Sequence, residues 1–133
     1  MMKELFKAKV VLIVEDHDSM RTIMKGFLRN LGFVSIEEAG DGTKAWQIVQ
    51  DTPIDLIVSD WNMPVMSGLE LLKRVRGNPL YEDIPFLMVT SEAHEDLVVT
   101  AIDAGVTHYI VKPFTLDTFS SKITTILTHR PAS

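Results

Sequence analysis

Along this chain, unbroken apolar runs alternate with stretches whose apolar residues recur every three or four positions. VVLIVE (10–15) has no polar face, so it predicts a strand covered on both sides rather than one side of a wetted sheet. Met20, Ile23, Met24, Phe27, Leu28 and Leu31 follow at helical spacing, with Asp18 or Ser19 as the expected N-cap and Gly32 as the stop. A weaker strand, VSIEEA (34–39), leads into a short helix that turns Ala45, Ile48 and Val49 inward. IDLIVS (54–59) is the third strand. A helix from about Gly68 carries Leu69, Leu72 and Val75 as its buried stripe. PFLMVT (85–90) is the fourth strand, Leu97, Val98, Ala101 and Ile102 mark the fourth helix, and Gly105 closes it. HYIVK (108–112) and a helix carrying Phe119, Ile123 and Ile126 complete the series. Five rounds of strand then helix predict an α/β fold with a parallel sheet between two helical layers. A closed barrel would need eight rounds, so an open, doubly wound (βα)5 sandwich is expected.

Composition narrows the possibilities. The chain has 133 residues, which suits one domain spanning 1–133, and no stretch repeats or has the character of a linker. Cysteine is absent, which removes disulfides and thiolate metal sites. The first apolar run is five residues long, too short for a signal peptide core or a membrane span, so a cytoplasmic protein is expected. The formal net charge is −5 and no Lys/Arg block occurs, which argues against nucleic-acid binding. Arg21, Lys25 and Arg29 share one helix face, most simply a solvated one.

The chemistry gathers where the strands end. Ligands of an open parallel sheet bind beyond the carboxyl ends of its strands. There the sequence places Glu15 and Asp16 after the first strand and Asp60 after the third. Thr90 and Ser91 follow the fourth, and Lys112 the fifth. Three carboxylates held together resist full ionisation unless a cation lies between them. With neither His nor Cys at those strand ends, a hard, oxygen-seeking ion is expected, Mg2+ before Zn2+. An acid after one strand is often a simple helix cap. A reactive set at four strand ends of five is much harder to dismiss.

VEDHDSMR, SDWNMPVMSGLELL, MVTSEA and YIVKPF resemble the response-regulator receiver domain of two-component signalling, closest to its single-domain chemotaxis members. The resemblance runs from about Lys9 to Leu127. It implies a flavodoxin-like fold with strand order 2-1-3-4-5, a core of about 9–127, a monomer, and no output domain.

Residue by residue, the resemblance makes Asp60 the phosphoacceptor, attacking a phosphohistidine on a sensor histidine kinase. Asp16 is then the direct Mg2+ ligand, with Asp60, the backbone carbonyl of Asn62, and Glu15 acting through a water. Glu15 stands where Asp is more usual. Lys112 and Thr90 stabilise the charge spread over the phosphoryl oxygens in flight. A cis Lys112–Pro113 bond is also implied. Asn62 and Glu92 occupy positions that set the lifetime of the phosphoryl group. Thr90 and Tyr109 form the switch pair, and the partner face takes in Ala93, Glu95, Val98, Tyr109, Val111 and Lys122. Glu95 reverses the charge of the Lys expected at that position.

The implied partners are a chemotaxis-type sensor histidine kinase, a flagellar motor switch protein or another protein target, and a phosphatase; neither nucleic acid nor membrane is among them. Three other readings use the same features. A phosphorelay intermediate or phosphate sink keeps the chemistry and changes the output. A Mg2+-dependent phosphohydrolase would need a general acid where Asn62 stands, and Asn62 cannot protonate a leaving group. A flavin carrier would need a Gly- and hydroxyl-rich phosphate loop in place of Glu15-Asp16-His17-Asp18. The expected role is therefore a signalling phosphoacceptor rather than a turnover enzyme.

Overall fold

The computed structural model describes residues 2–91 and 95–128. Its five strands are β1 (Val10–Val14), β2 (Ser35–Ala39), β3 (Leu56–Asp60), β4 (Phe86–Thr90) and β5 (His108–Val111), all paired in parallel in the order β2-β1-β3-β4-β5. This is the doubly wound α/β sheet expected from the apolar runs, in the order implied by the resemblance. Six helices accompany it: α1 (Met2–Lys7), α2 (Asp18–Leu31), α3 (Gly42–Asp51), α4 (Gly68–Arg76), α5 (Glu95–Asp103) and α6 (Leu116–Thr128).

Alternation along each buried strand divides the core in two. Val11 and Ile13 of β1 face one side, where they join Met24 and Leu28 of α2 and Phe119 and Ile123 of α6. Leu12 and Val14 face the other, against Ala45 and Val49 of α3 and Leu71, Leu72 and Val75 of α4. β3 and β4 are buried along their whole length, their apolar residues first and then Ser59, Asp60 and Thr90 at their carboxyl ends. β2, at the edge, buries only Ala39, which explains its weak sequence pattern.

Several details depart from the sequence pattern. The N-cap of α2 is His17 rather than Asp18 or Ser19, with extended backbone (φ −90°, ψ 117°) and no side-chain capping bond. Gly32 ends the helix as expected, at φ 114°, its N–H donating to the carbonyls of Leu28 and Arg29. Ile23 and Ile102, assigned to buried stripes, are 46% and 58% exposed. Leu71 takes the place expected for Leu69, which is only half-buried. Ile48 is likewise half-buried.

The first residues add an element that the pattern did not suggest. α1 is six residues long and inserts Phe6, fully buried, into the core. Its ring stacks on Phe33 with centroids 4.7 Å apart and planes within 4°. Among the described residues, no helix is long and apolar enough to cross a membrane.

Candidate functional site

β1 delivers Glu15 to the sheet's carboxyl end, where it is completely buried although it is charged. Burying a carboxylate costs several kcal/mol, on the order of the penalty for any unpaired ion, unless partners surround it. Its two oxygens divide the work. Oε2 lies 3.2 Å from Lys112 Nζ, just beyond β5. Oε1 lies 2.9 Å from His17 Nδ1 and accepts the His17 backbone N–H at 3.2 Å.

β3 ends on Asp60, 5% exposed, whose Oδ1 accepts the Trp61 N–H at 2.9 Å and lies 3.5 Å from Lys112 Nζ. Lys112 thus stands between Glu15 and Asp60 as the cation shared by two buried carboxylates. Burial, then the Glu15 charge, pushes the Asp60 carboxyl up to about 6; Lys112 and the Trp61 N–H only partly oppose them. The Asp60 charge therefore stands in a poorly compensated place, where an added cation would be welcome.

The loop after Asp60 is held close. The Trp61 N–H donates to the Val89 carbonyl, and the Gly68 N–H donates to the Trp61 carbonyl, each at 2.9 Å. Gly68 has to be glycine for this approach, because a Cβ there would lie 2.2 Å from the Asp60 carbonyl oxygen. Ser67 caps α4 by accepting the Glu70 N–H. Within the loop, Val65 has φ 70° and is 84% exposed, an uncommon conformation for a β-branched residue. Asn62 is exposed in the same loop.

Asp16 is exposed beside the buried pair and meets His17 Nδ1 at 3.2 Å. Glu15, Asp16 and His17 offer ligand atoms that all lie within 4.8 Å of one another. His17 was missing from the sequence expectation, which placed no imidazole among the acids. The signal was present in the VEDHD stretch, but the direction of the side chain was not. Its neighbours raise its basicity, chiefly the hydrogen bond to Glu15 and then the charges of Asp16 and Glu15.

Thr90, buried at the end of β4, accepts the Lys112 N–H on its carbonyl at 2.7 Å. Its side chain shares a small pocket with Trp61, Met88, Leu97, Val98 and Tyr109. The two residues of the expected switch pair therefore line one space, next to the residue that follows Asp60. Tyr109 carries Lys122 over its ring, Nζ 5.7 Å from the centroid. Val98, Val111 and Lys122 are half-buried and Glu95 is exposed. The Lys112–Pro113 bond is cis, as the resemblance implied. Glu92 and Ala93 lie outside the described residues.

Nearby, the basic face of α2 is tied to β2. Lys25 Nζ lies 2.9 Å and Arg21 Nε 3.3 Å from the Glu38 carboxylate. Arg21 also pairs with Asp18 and donates to the Glu15 carbonyl at 2.7 Å.

Residues 11–124 match the response regulator receiver domain. The chain is 46% identical over 113 residues to the chemotaxis protein CheY of Pseudomonas aeruginosa, an alignment spanning 85% of this chain and 91% of that protein. It is 44% identical over 119 residues to chemotaxis protein CheY-3 of Vibrio cholerae, spanning 90% and 92%. Among solved structures, chemotaxis protein CheY4 of Vibrio cholerae superposes with a TM-score of 0.83 at 35% identity, covering 89% of this chain and 98% of that one.

Proposed function

Since the chain belongs to the response regulator receiver domain family, we propose that it accepts a phosphoryl group on Asp60 from a sensor histidine kinase and passes the signal on by protein contact. Asp60 attacks phosphorus, an O–P bond forms, and the P–N bond to the kinase imidazole breaks, its electron pair staying on nitrogen so that the imidazole leaves neutral with the proton its other ring nitrogen already carried. Among the described residues both contacts to Asp60 fall on Oδ1, which makes Oδ2 the attacking oxygen. Lys112 holds positive charge beside the phosphoryl oxygens as they pass, and Thr90 donates its hydroxyl to them.

The carboxylates fit a divalent cation, since Glu15 and Asp16 bring oxygens together beside a buried Asp60 with one shared lysine. Asp16, Asp60 and the Asn62 carbonyl would hold Mg2+, with Glu15 acting through a water. The ion would supply positive charge for the transferring group. Asn62 and Glu92 set how long the phosphoryl group survives.

Thr90 and Tyr109 carry the signal outward through the pocket they share. Phosphorylation draws the Thr90 hydroxyl inward and the Tyr109 ring follows, which biases a two-state face around α5, β5 and α6. Ala93, Glu95, Val98, Tyr109, Val111 and Lys122 form that face. A flagellar motor switch protein is the favoured target, in keeping with the chemotaxis relatives.

The observation that carries this reading is the pair of buried carboxylates, Glu15 and Asp60, sharing Lys112 at 3.2 and 3.5 Å. Tryptophan fluorescence tests it, because Trp61 adjoins Asp60. Beryllofluoride, a phosphoryl mimic, should give a saturable change that requires Mg2+ and is absent in Asp60→Asn. The same change in that variant would refute Asp60 as the acceptor.

A further inference from the structure

We infer that a cleft at the amino end of the sheet docks a basic segment of a partner protein, seating an aliphatic side chain that stands between lysines or arginines, whatever the state of Asp60. This goes beyond the phosphoacceptor reading and uses none of its residues.

The cleft forms where α3 ends and where the chain enters β3 and β4. A hollow of about 430 Å3 is lined by Val49, Pro53, Ile54, Leu80, Tyr81 and Ile84. A second, of about 190 Å3, shares Ile54, Leu80, Tyr81 and Ile84 with it, so the two run together. The larger volume falls in the range of sites that enclose organic groups, roughly 300–1,000 Å3. Leu80 is 81% exposed, whereas Val49 and Ile54 are buried. A single exposed leucine is ordinary on a protein surface. One that continues a buried apolar lining out to solvent marks a contact surface.

The loop that carries Leu80 is held in place. Asn78 Oδ1 accepts the Leu80 N–H at 2.9 Å. The Tyr81 N–H donates to the Asn78 carbonyl at 2.9 Å, and the Ile84 N–H to the Tyr81 carbonyl at 3.0 Å. Trp46 meets the Tyr81 ring edge-on, with centroids 5.6 Å apart. A surface fixed in advance loses little freedom when a partner settles on it.

Charge identifies the occupant. Asp51, Asp55 and Asp83 stand around the two hollows, and no lysine or arginine lines either. Among the described residues none of these three acids forms an ion pair. Asp83 does favour the charge of Arg76, yet that guanidinium is turned to the carbonyls of Glu82, Ile84 and Gly105. An apolar hollow with an acidic rim is complementary to an aliphatic side chain between cationic neighbours.

Position makes the docking independent of phosphorylation. Ile54 and Asp55 precede β3 and Asp60 ends it, so the cleft lies about one strand length, roughly 17 Å, from the reacting end. Its lining shares no residue with the pocket of Thr90 and Tyr109.

The probe is a capped synthetic peptide with one leucine between lysines. Two controls carry glutamate for every lysine, or serine for the leucine. Each is titrated into 15N-labelled protein and followed by amide shifts and by Trp46 fluorescence. The lysine–leucine peptide should bind saturably, with shifts centred on residues 50–55 and 79–85. The serine control should bind about tenfold more weakly and the glutamate control not at all. Leu80→Ser, at an exposed position, should weaken the lysine–leucine peptide by about fivefold or more. Asp51→Asn combined with Asp83→Asn should weaken it similarly and remove most of its salt dependence. Beryllofluoride with Mg2+ should leave its affinity within about twofold. Shifts centred elsewhere, wild-type affinity in Leu80→Ser, equal binding of either control peptide, or a larger effect of beryllofluoride would each overturn the inference. Sedimentation of the protein alone should show no self-association; association that Leu80→Ser abolishes would give the cleft to a second copy of this chain and overturn it too.

Discussion

The two ends of this sheet bury charge in opposite ways. At the amino end, Arg76 leaves the last turn of α4 and spreads its guanidinium over backbone acceptors. Nε donates to the Gly105 carbonyl at 2.8 Å, and Nη1 to the carbonyls of Glu82 and Ile84 at 3.0 and 2.7 Å. Nη2 reaches Thr107 Oγ1 at 3.3 Å. Asp55 Oδ2 accepts the Val10 N–H at 2.8 Å, so the acid at that end is also met by main chain. At the carboxyl end, by contrast, Glu15 and Asp60 face one another across a single ammonium. Fixed backbone dipoles compensate the first set; like charge opposes like charge in the second. One end is built to hold still and the other to take up a cation and a phosphoryl group.

The largest expected effect breaks the strained side of this contrast. Neutralising Asp60 with Asn, in chelator, should raise stability at pH 7 by about 2–3 kcal/mol, since its carboxyl is held about two units above the usual 3.8. The sign is that of a raised acid. The folded protein binds the proton more tightly, so wild type is penalised progressively from about pH 4 to pH 6 and fully above it. Urea unfolding should therefore show the gain of the variant shrinking toward zero near pH 4, and a gain independent of pH would mean that Asp60 is comfortable when charged.

Arg76→Ala attacks the settled end and should destabilise by about 2 kcal/mol, because several carbonyls lose a shared donor at once. Its midpoint in urea should fall without any change in the Mg2+ affinity at the far end. The smallest effect concerns the loop beside Asp60. Val65→Asn relieves a β-branched residue at φ 70° and should add about 1 kcal/mol, visible as a melting point a few degrees higher.

Strand positions were legible because β1, β3 and β4 are apolar on both faces and no other element explains such short runs. Glu15, Asp60 and Lys112 were legible for a related reason, as charged residues standing where the apolar runs of β1, β3 and β5 end. Helix stripes were read less well. Ile23 and Ile102 have helical spacing, yet each falls at the margin of its buried face, where periodicity cannot tell a covered flank from an open one. Leu71 replaced Leu69 because the true axis of the α4 stripe is set by contact with α3 and β3. His17 was missed for a different reason: spacing shows which residues neighbour an acid but not which way an N-cap side chain turns. Val65 gave no signal at all, since a valine in a loop is not a residue from which positive φ is inferred.

The N-terminal helix was equally silent, since six residues are too few for a period to show. Its burial of Phe6 against Phe33 nonetheless makes it part of the packed core. The match to the receiver domain opens at residue 11, so a boundary drawn by ancestry runs inside the boundary drawn by packing. α1 lies outside the matched span and still closes the core, so trimming the chain to residues 11–124 would leave Phe33 facing a void.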